Sequence, residues 1–510
     1  MKATTRRPVV LASLVIIALV AGAALVTPTG TASLLTRVVE AVSDWFGWFF
    51  VLLAATVLVF VVVIGFKYSH VRLGGDDAKP EYSTFSWACM LFAAGIGTDI
   101  LFFAVSEPVQ QYMRPPQLEP QSLAAAEQAP VWTMFHYGLH GWGMYCLMGI
   151  AMGYFAYRKK LPLAVRSTLS PLLGKRTEGW AGHSVDVATI VATIFGLATS
   201  LGIGVVMLAT ALEILVGLEA NRWVHLGLVI LAITAATLSA VSGINRGIKI
   251  LSQLNVCLSL FLCLWVLITG NTTYLLRSIV MNIGDFVALF PSMFMDTMAI
   301  DYPEAWMTLW TLFFWAWWIA WASFVGLFLA RISHGRTIGQ FVLGTLTIPL
   351  LYVGAWATIF GGRAIEMIRG GDLDFAELTL ASPERGIFAL LETHPIPTVI
   401  ISIACLTGLL FYITSADSGA LVMANLSSKL PDPSVDARLP MRALWAVATG
   451  VLTIAMLIVD GIPALQNATI IMGLPFGFVM VGVMISLARS LKDEGEHPAA
   501  EETRTEPHSA

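Results

Sequence analysis

The 510-residue sequence predicts an all-α membrane protein with twelve spanning helices, and three observations lead there. Hydrophobic residues make up 57% of the chain and charged residues 12%, against about a quarter charged in an ordinary soluble domain. Apolar runs long enough to cross a bilayer recur from residue 9 to residue 489, with no long polar block between them. Two of those runs, five apart in order, carry residues foreign to a plain spanning helix. One membrane domain follows, in place of the several globular domains that length alone would allow.

The first run, 9–26, follows Lys2, Arg6 and Arg7, and Ala21-Gly22-Ala23 imitates a signal-peptidase site. Its length, and the runs behind it, favour a retained helix. The others lie at 47–66, 86–104, 130–155, 184–212, 223–243, 250–270, 305–330, 338–361, 396–416, 441–459 and 468–488. Residues 282–298 are apolar but carry Asp285 and Asp296, which predicts a short interfacial helix. With the N-terminus inside, only Arg37, Arg114, Arg222, Arg277, Arg363, Arg369 and Arg385 of the 29 basic residues fall outside. The positive-inside rule therefore puts both termini in the cytoplasm and the acidic segment 363–394 outside.

The third run holds Gly95, Gly97 and the charged Asp99 within five residues, a combination that breaks a membrane helix. Such a break survives only where it lines a cavity or packs on protein. The eighth run holds Trp310, Trp315, Trp317, Trp318 and Trp321 and crosses in the opposite direction. Two unusual, inverted spans five apart predict a five-plus-five inverted repeat, helices 3–7 (residues 86–281) and 8–12 (residues 305–489), with a site where the repeats meet. Residues 1–85, with two extra helices, precede it; 282–304 link the repeats and 490–510 form a short tail.

At about 100° per residue, Trp310, Trp317 and Trp321 share a face about 40° wide, with Trp318 about 60° to 100° away and Trp315 further round. Indoles spread over several levels of one helix do not make a headgroup belt, the reading that suits Trp45, Trp48, Trp180 and Trp306. In the fourth run Tyr137, Trp142 and Tyr145 fall within an arc of about 140°, and Gly138, Gly141 and Gly143 leave room beside the rings. Aromatic walls from two helices suit a cation sheathed in methyl groups, each face contributing about 0.5 to 2 kcal/mol. Plain aromatic packing is the competing reading.

Other chemistry is excluded or weak. Cys89, Cys146, Cys257, Cys263 and Cys405 sit in apolar runs without a metal or disulfide spacing. His136 and His140 lack a third ligand for zinc. Net charge is −4, no basic stretch suggests nucleic acid, and no P-loop points to ATP. Glu107, His183 and Asp186 are further ionisable residues near membrane boundaries, and Asp417 is expected to cap or bend a helix end.

The segment Trp310-Thr311-Leu312-Phe313-Phe314-Trp315-Ala316-Trp317-Trp318, followed by Gly326 to Ser333, resembles the signature of the betaine/carnitine/choline transporters. Gly95-Ile96-Gly97 with Ser106-Glu107-Pro108, the Phe135 to Tyr145 segment and Thr414-Ser415-Ala416-Asp417-Ser418 resemble further motifs of that family, in the same order. The similarity runs from about residue 45 to 490 and implies a LeuT-like transporter, a bacterial inner-membrane location and a homotrimer. It further implies an aromatic box of Tyr137, Trp142, Tyr145, Trp317, Trp318 and Trp321. Tyr137 stands where many betaine carriers have Trp, which keeps the wall and slightly loosens the cage. Phe411, Thr414 and Ser415 match positions where sodium-coupled relatives build an ion site; a helix-kinking hydroxyl pair is the other reading. Strongly osmosensitive members resemble one another in a longer basic tail, so the Glu-rich tail here, with Lys492 and Arg504, implies weak osmotic regulation.

Asp99 is a carboxylate in mid-span, costing several kcal/mol unless it faces a cavity or partner. It supplies the counter-charge that choline lacks and that betaine carries within itself; an ion-coupling carboxylate or a pair with a buried cation are the alternatives. The resulting expectation is a secondary importer of choline serving osmoprotection, not an enzyme, that needs no cofactor and uses a proton or sodium as coupling ion, the proton favoured. A sodium-coupled glycine betaine or carnitine transporter is the alternative, and a membrane receptor or osmosensor without transport a more remote one.

Overall fold

The computed structural model describes residues 3–94, 97–242, 245–432 and 435–496; Lys2, Gly95 and Arg504 lie outside them. Almost all of this is helix. Pro8 and Pro28 open α1 (Arg7–Val26) and α2 (Pro28–Lys67) in their first turns, where a missing N–H leaves no bond unmade. The apolar run at 47–66 predicted only the second half of α2, because bilayer thickness limits the apolar stretch and not the helix. The first half carries Arg37, Glu40 and Asp44 while burying Leu35 and Val39.

The third predicted span is divided, α3 (Thr84–Ala94) ending before Gly97 and α4 (Asp99–Met113) starting at the charged residue. The fourth is divided as well, which the sequence did not predict. Ser122 caps α5 (Leu123–Tyr137), accepting from the Ala125 amide at 3.1 Å, and α6 (Leu139–Gly153) begins one residue after α5 ends. Gly138 makes the joint at φ −95° and ψ −132°, and a Cβ there would lie 2.2 Å from the Met134 carbonyl oxygen. A π turn, Tyr154–Arg158, closes α6.

Short helices α7 (Val165–Thr168) and α8 (Ser170–Leu173) lead to α9 (Trp180–Val216), then α10 (Arg222–Ser242), α11 (Asn245–Thr269) and α12 (Thr272–Met293). Asn271 caps α12 by accepting from the Tyr274 amide, so this helix starts ten residues before the interfacial helix predicted at 282–298. Only 22% of its most apolar window is buried. The tryptophan segment runs through α13 (Glu304–Met307), a π turn Thr308–Leu312 and α14 (Phe313–Ile332) without interruption. A Thr337/Gln340 capping box opens α15 (Ile338–Trp356), which continues through a π turn into α16 (Gly362–Arg369).

The segment predicted outside folds into α17 (Leu373–Ala381) and α18 (Pro383–Glu392). The chain ends in α19 (Pro397–Leu426), α20 (Leu439–Asp460) and α21 (Ile462–Glu496). Because α19 runs on to Leu426, Asp417 neither caps nor ends a helix. It accepts instead from Arg442 Nη2 at 3.3 Å, joining α19 to α20.

Among the described residues, nine helices are long and apolar enough to cross a bilayer, α12 included; α10 and α11 hold shorter apolar stretches. The core is built where α6 lies along α14 and where α9 packs on α19 and α21. One small sheet, β1 (Thr4–Thr5) against β2 (Ser428–Lys429), ties the segment before α1 to the end of α19. Beside it Arg166 donates to Asp186 through Nε at 2.7 Å, and its Nη2 meets His183 Nδ1 at 3.0 Å.

Candidate functional site

Breaking α3 from α4 exposes backbone in mid-molecule, and the aromatic helices close around it. A cavity there is lined by Gly97, Asp99, Ile100, Tyr137, Tyr145, Trp317, Trp318 and Trp321. Six of the residues singled out in the sequence thus meet in one place, drawn from α4, α5, α6 and α14. The 3.6-residue period explains the α14 wall: Trp317 and Trp321 share one face and Trp318 stands beside it, all within an arc of about 100°.

The seventh residue does not join them. Trp142 is fully buried behind Tyr145 and Trp318, with ring centroids 5.4 and 6.2 Å away, and does not line the cavity. The arc that grouped Trp142 with Tyr137 assumed one continuous helix, whereas the two stand on either side of the joint at Gly138. Trp310 shares the angle of Trp317 and Trp321 but lies two turns away, against Phe103 and the His136 ring. Trp315 packs on Phe135 and His140. His140 Nε2 lies 3.3 Å from the Phe294 carbonyl oxygen.

Trp318 is the hinge of the box. Its ring meets Tyr145 edge-on at 4.9 Å and Tyr137 at 5.9 Å, the perpendicular arrangement that ring quadrupoles favour. It lies directly over Gly141, where a Cβ would come 2.2 Å from the indole. Its Nε1 donates to the His136 carbonyl at 2.8 Å, and the neighbouring Trp317 Nε1 donates to the Gly196 carbonyl at 3.4 Å. Both rings are held by the main chain, and both line the cavity.

Against these apolar faces stand a few buried polar atoms without partners: Asp99 Oδ1, Tyr137 Oη and Trp321 Nε1. The Ser200 hydroxyl is the side chain that interacts with the Asp99 carboxyl. Unpartnered polar atoms are costly in a protein interior unless something binds them. Few polar groups on an apolar, aromatic wall is the usual make-up of a small-ligand site.

The three ion-coupling candidates stand on α19, and Ser415 comes nearest the cavity. Thr414 Oγ1 donates to the Leu410 and Phe411 carbonyls at 2.8 and 3.1 Å, and Phe411 is buried. Ser415 Oγ lies 3.8 Å from where a Cβ on Gly97 would stand, so α19 faces the α3–α4 break. The sequence named Glu107 and His136 separately, as ionisable residues, but gave no sign that they pair. Glu107, 29 positions before His136, is hydrogen-bonded to that ring's Nδ1 at 2.6 Å, and His136 Nε2 meets Thr311 Oγ1 at 3.0 Å.

The sequence model of the "betaine/carnitine/choline family transporter" group matches residues 8–496. The chain belongs to this family. It is a multi-pass membrane transporter of the betaine/carnitine/choline group, and not an enzyme. Among its relatives in the family, the high-affinity choline transport protein of Escherichia coli (strain K12) is 53% identical over 459 residues, covering 90% of this chain and 68% of that one. The osmo-dependent choline transporter BetT2 of Acinetobacter baylyi is 50% identical over 468 residues, covering 91% and 68%. The glycine betaine transporter of the same organism is 36% identical over 507 residues, covering 98% and 76%.

Proposed function

We propose that this member of the family imports choline, driven by a proton gradient, with the Asp99 cavity as its binding site. One observation carries the reading: a buried carboxylate with an unpartnered oxygen stands at a cavity walled by Tyr137, Tyr145, Trp317, Trp318 and Trp321. Choline is a bare cation sheathed in methyl groups. It takes ring faces for the methyls and a carboxylate for the charge. The two choline transport proteins at 53% and 50% identity support the substrate.

The architecture that serves this function is a twelve-helix, LeuT-like inverted repeat. Residues 86–281 form one half and 305–489 the other; 1–85 add two helices, 282–304 lie along the surface and 490–510 form a cytoplasmic tail. Alternating access is the rocking of one half against the other about the central site. Both termini are cytoplasmic, the membrane is the bacterial inner membrane and the assembly a homotrimer. Trp142 acts by backing Tyr145 and Trp318, while Phe411, Thr414 and Ser415 form the place where a sodium-coupled version would bind its ion.

Uptake into liposomes tests the reading. Radiolabelled choline and glycine betaine are offered under a proton gradient and a sodium gradient imposed separately. Choline accumulation that follows the proton gradient and collapses with a protonophore supports it. Accumulation that needs sodium, or a preference for betaine, overturns it in favour of a sodium-coupled betaine carrier.

A further inference from the structure

Asp99 cannot serve two purposes at once. A carboxylate that balances the charge of bound choline must be ionised while choline is present, so the proton that travels with it needs another seat. The inference below rests on the proton-coupled reading of the preceding subsection.

We propose that Glu107 and His136 form the site that carries the coupled proton. Both side chains are 0% exposed, in the interior of α4 and α5. Glu107 Oε1 and His136 Nδ1 are 2.6 Å apart, and the ring's other nitrogen meets Thr311 Oγ1 in the π turn before α14. Glu107 Oε2 has no partner. Phe314 stacks on the imidazole at 5.0 Å and 4°, and Trp132 lies at 5.6 Å and 26°. Among the described residues neither group makes another ion pair. Tyr137 interacts with Glu107 and His140 with His136; Trp306, Trp310, Thr311, Phe314 and Trp315, which meet the imidazole from the tryptophan segment, do not titrate in the relevant range.

Without the extra proton, the neutral imidazole donates Nδ1–H to the carboxylate, and Nε2 accepts the Thr311 hydroxyl. The pair then carries one negative charge. With the proton added the pair is neutral overall, as carboxylate and imidazolium, and Nε2–H donates to Thr311, whose hydroxyl turns from donor to acceptor. One proton is taken up and one charge is cancelled; no covalent bond changes besides the new N–H, and the Thr311 hydroxyl hydrogen rotates away from Nε2. Ionisable groups buried inside a membrane protein mark substrate or ion pathways, proton relays among them.

His136 and the Phe314 ring stacked on it connect the site to the box. The His136 carbonyl accepts from Trp318, Tyr137 follows His136 in the chain, and Phe314 meets the Tyr137 ring at 5.0 Å. A change at the imidazole therefore acts on two walls of the cavity through direct contacts. A two-state element biased by both ligand and proton is what coupling requires.

The test uses the full-length protein in liposomes with an internal pH dye. Choline influx should acidify the lumen in the unaltered protein. Glu107→Gln should lose acidification and uphill accumulation by at least about tenfold, while exchanging labelled for unlabelled choline within about threefold of normal. Thr311→Val should shift the pH at which accumulation is half-maximal, and Glu107→Asp should restore acidification. If the unaltered protein shows no choline-driven acidification, proton coupling itself fails, and this site with it. If it acidifies and Glu107→Gln acidifies equally, coupling stands and this site is wrong. If Glu107→Gln and Thr311→Val both lose exchange along with accumulation, the cluster is scaffolding and the proposal falls.

Discussion

Trp318 donates its indole N–H to the main-chain carbonyl of His136 at 2.8 Å, fixing one wall of the cavity to the last turn of α5. The residue that offers the ring face and the residue that pairs with Glu107 are thereby one hydrogen bond apart. Substitutions at and around this contact separate packing from recognition.

Trp318→Leu keeps apolar bulk and removes the ring, so choline binding should weaken by about 1 to 2 kcal/mol, about 5- to 30-fold. Trp318→Phe loses the bond to His136 but keeps an aromatic face, and should lose less. Titration with choline, followed by intrinsic fluorescence, measures both; equal losses would mean that the wall is packing alone.

Gly141→Ala should be far more harmful than its size suggests. The added methyl would come within 2.2 Å of the Trp318 indole, where no flexible chain end can yield. Overpacking of this kind costs about 1 to 3 kcal/mol, visible as a lower Tm in detergent or weaker choline binding. Gly143→Ala, whose nearest neighbour would be Leu58 at 3.4 Å, is the control and should be tolerated.

Asp99→Asn should reduce choline affinity more than betaine affinity. At about 5 Å and an effective dielectric near 20, carboxylate and quaternary ammonium attract by roughly 3 kcal/mol, about a hundredfold before desolvation is subtracted. Asp99→Gly removes the repulsion felt by a ligand carboxylate and should raise betaine uptake relative to choline. Equal loss of transport of both substrates with unchanged binding would assign Asp99 to ion coupling.

Arg166→Met should destabilise the protein by about 3 to 5 kcal/mol, because it leaves the buried Asp186 without its hydrogen-bonded partner. Arg6 Nε lies 3.9 Å from the same carboxylate and does not replace the direct bond. Adding Asp186→Leu should recover part of the loss, since the stranded carboxylate is then gone and only the buried Arg6 keeps its charge without that partner. Thermal unfolding of both variants in one detergent checks the pair.

Much of this was legible in the sequence because its signals are local. Apolar length marks a spanning helix, the Gly97–Asp99 segment marks a break, and Trp317, Trp318 and Trp321 mark one face, each within a few residues of chain. The resemblance carried by Trp310 to Trp318 named the family. Periodicity, however, holds only while a helix is unbroken. The turn at Gly138 separates Tyr137 from the helix of Trp142 and Tyr145, and Trp142 packs behind Tyr145 instead of lining the cavity. Contacts between distant helices leave no spacing at all: Glu107 with His136, Asp417 with Arg442 and Trp318 over Gly141 exist because separate helices pack. The sequence by itself determined which segments prefer lipid, where one of them must break and which rings were available. Only the tertiary structure decided which of those rings face the cavity and which buried charges meet, because burial and pairing belong to the packing of helices and not to the order of residues along any one of them.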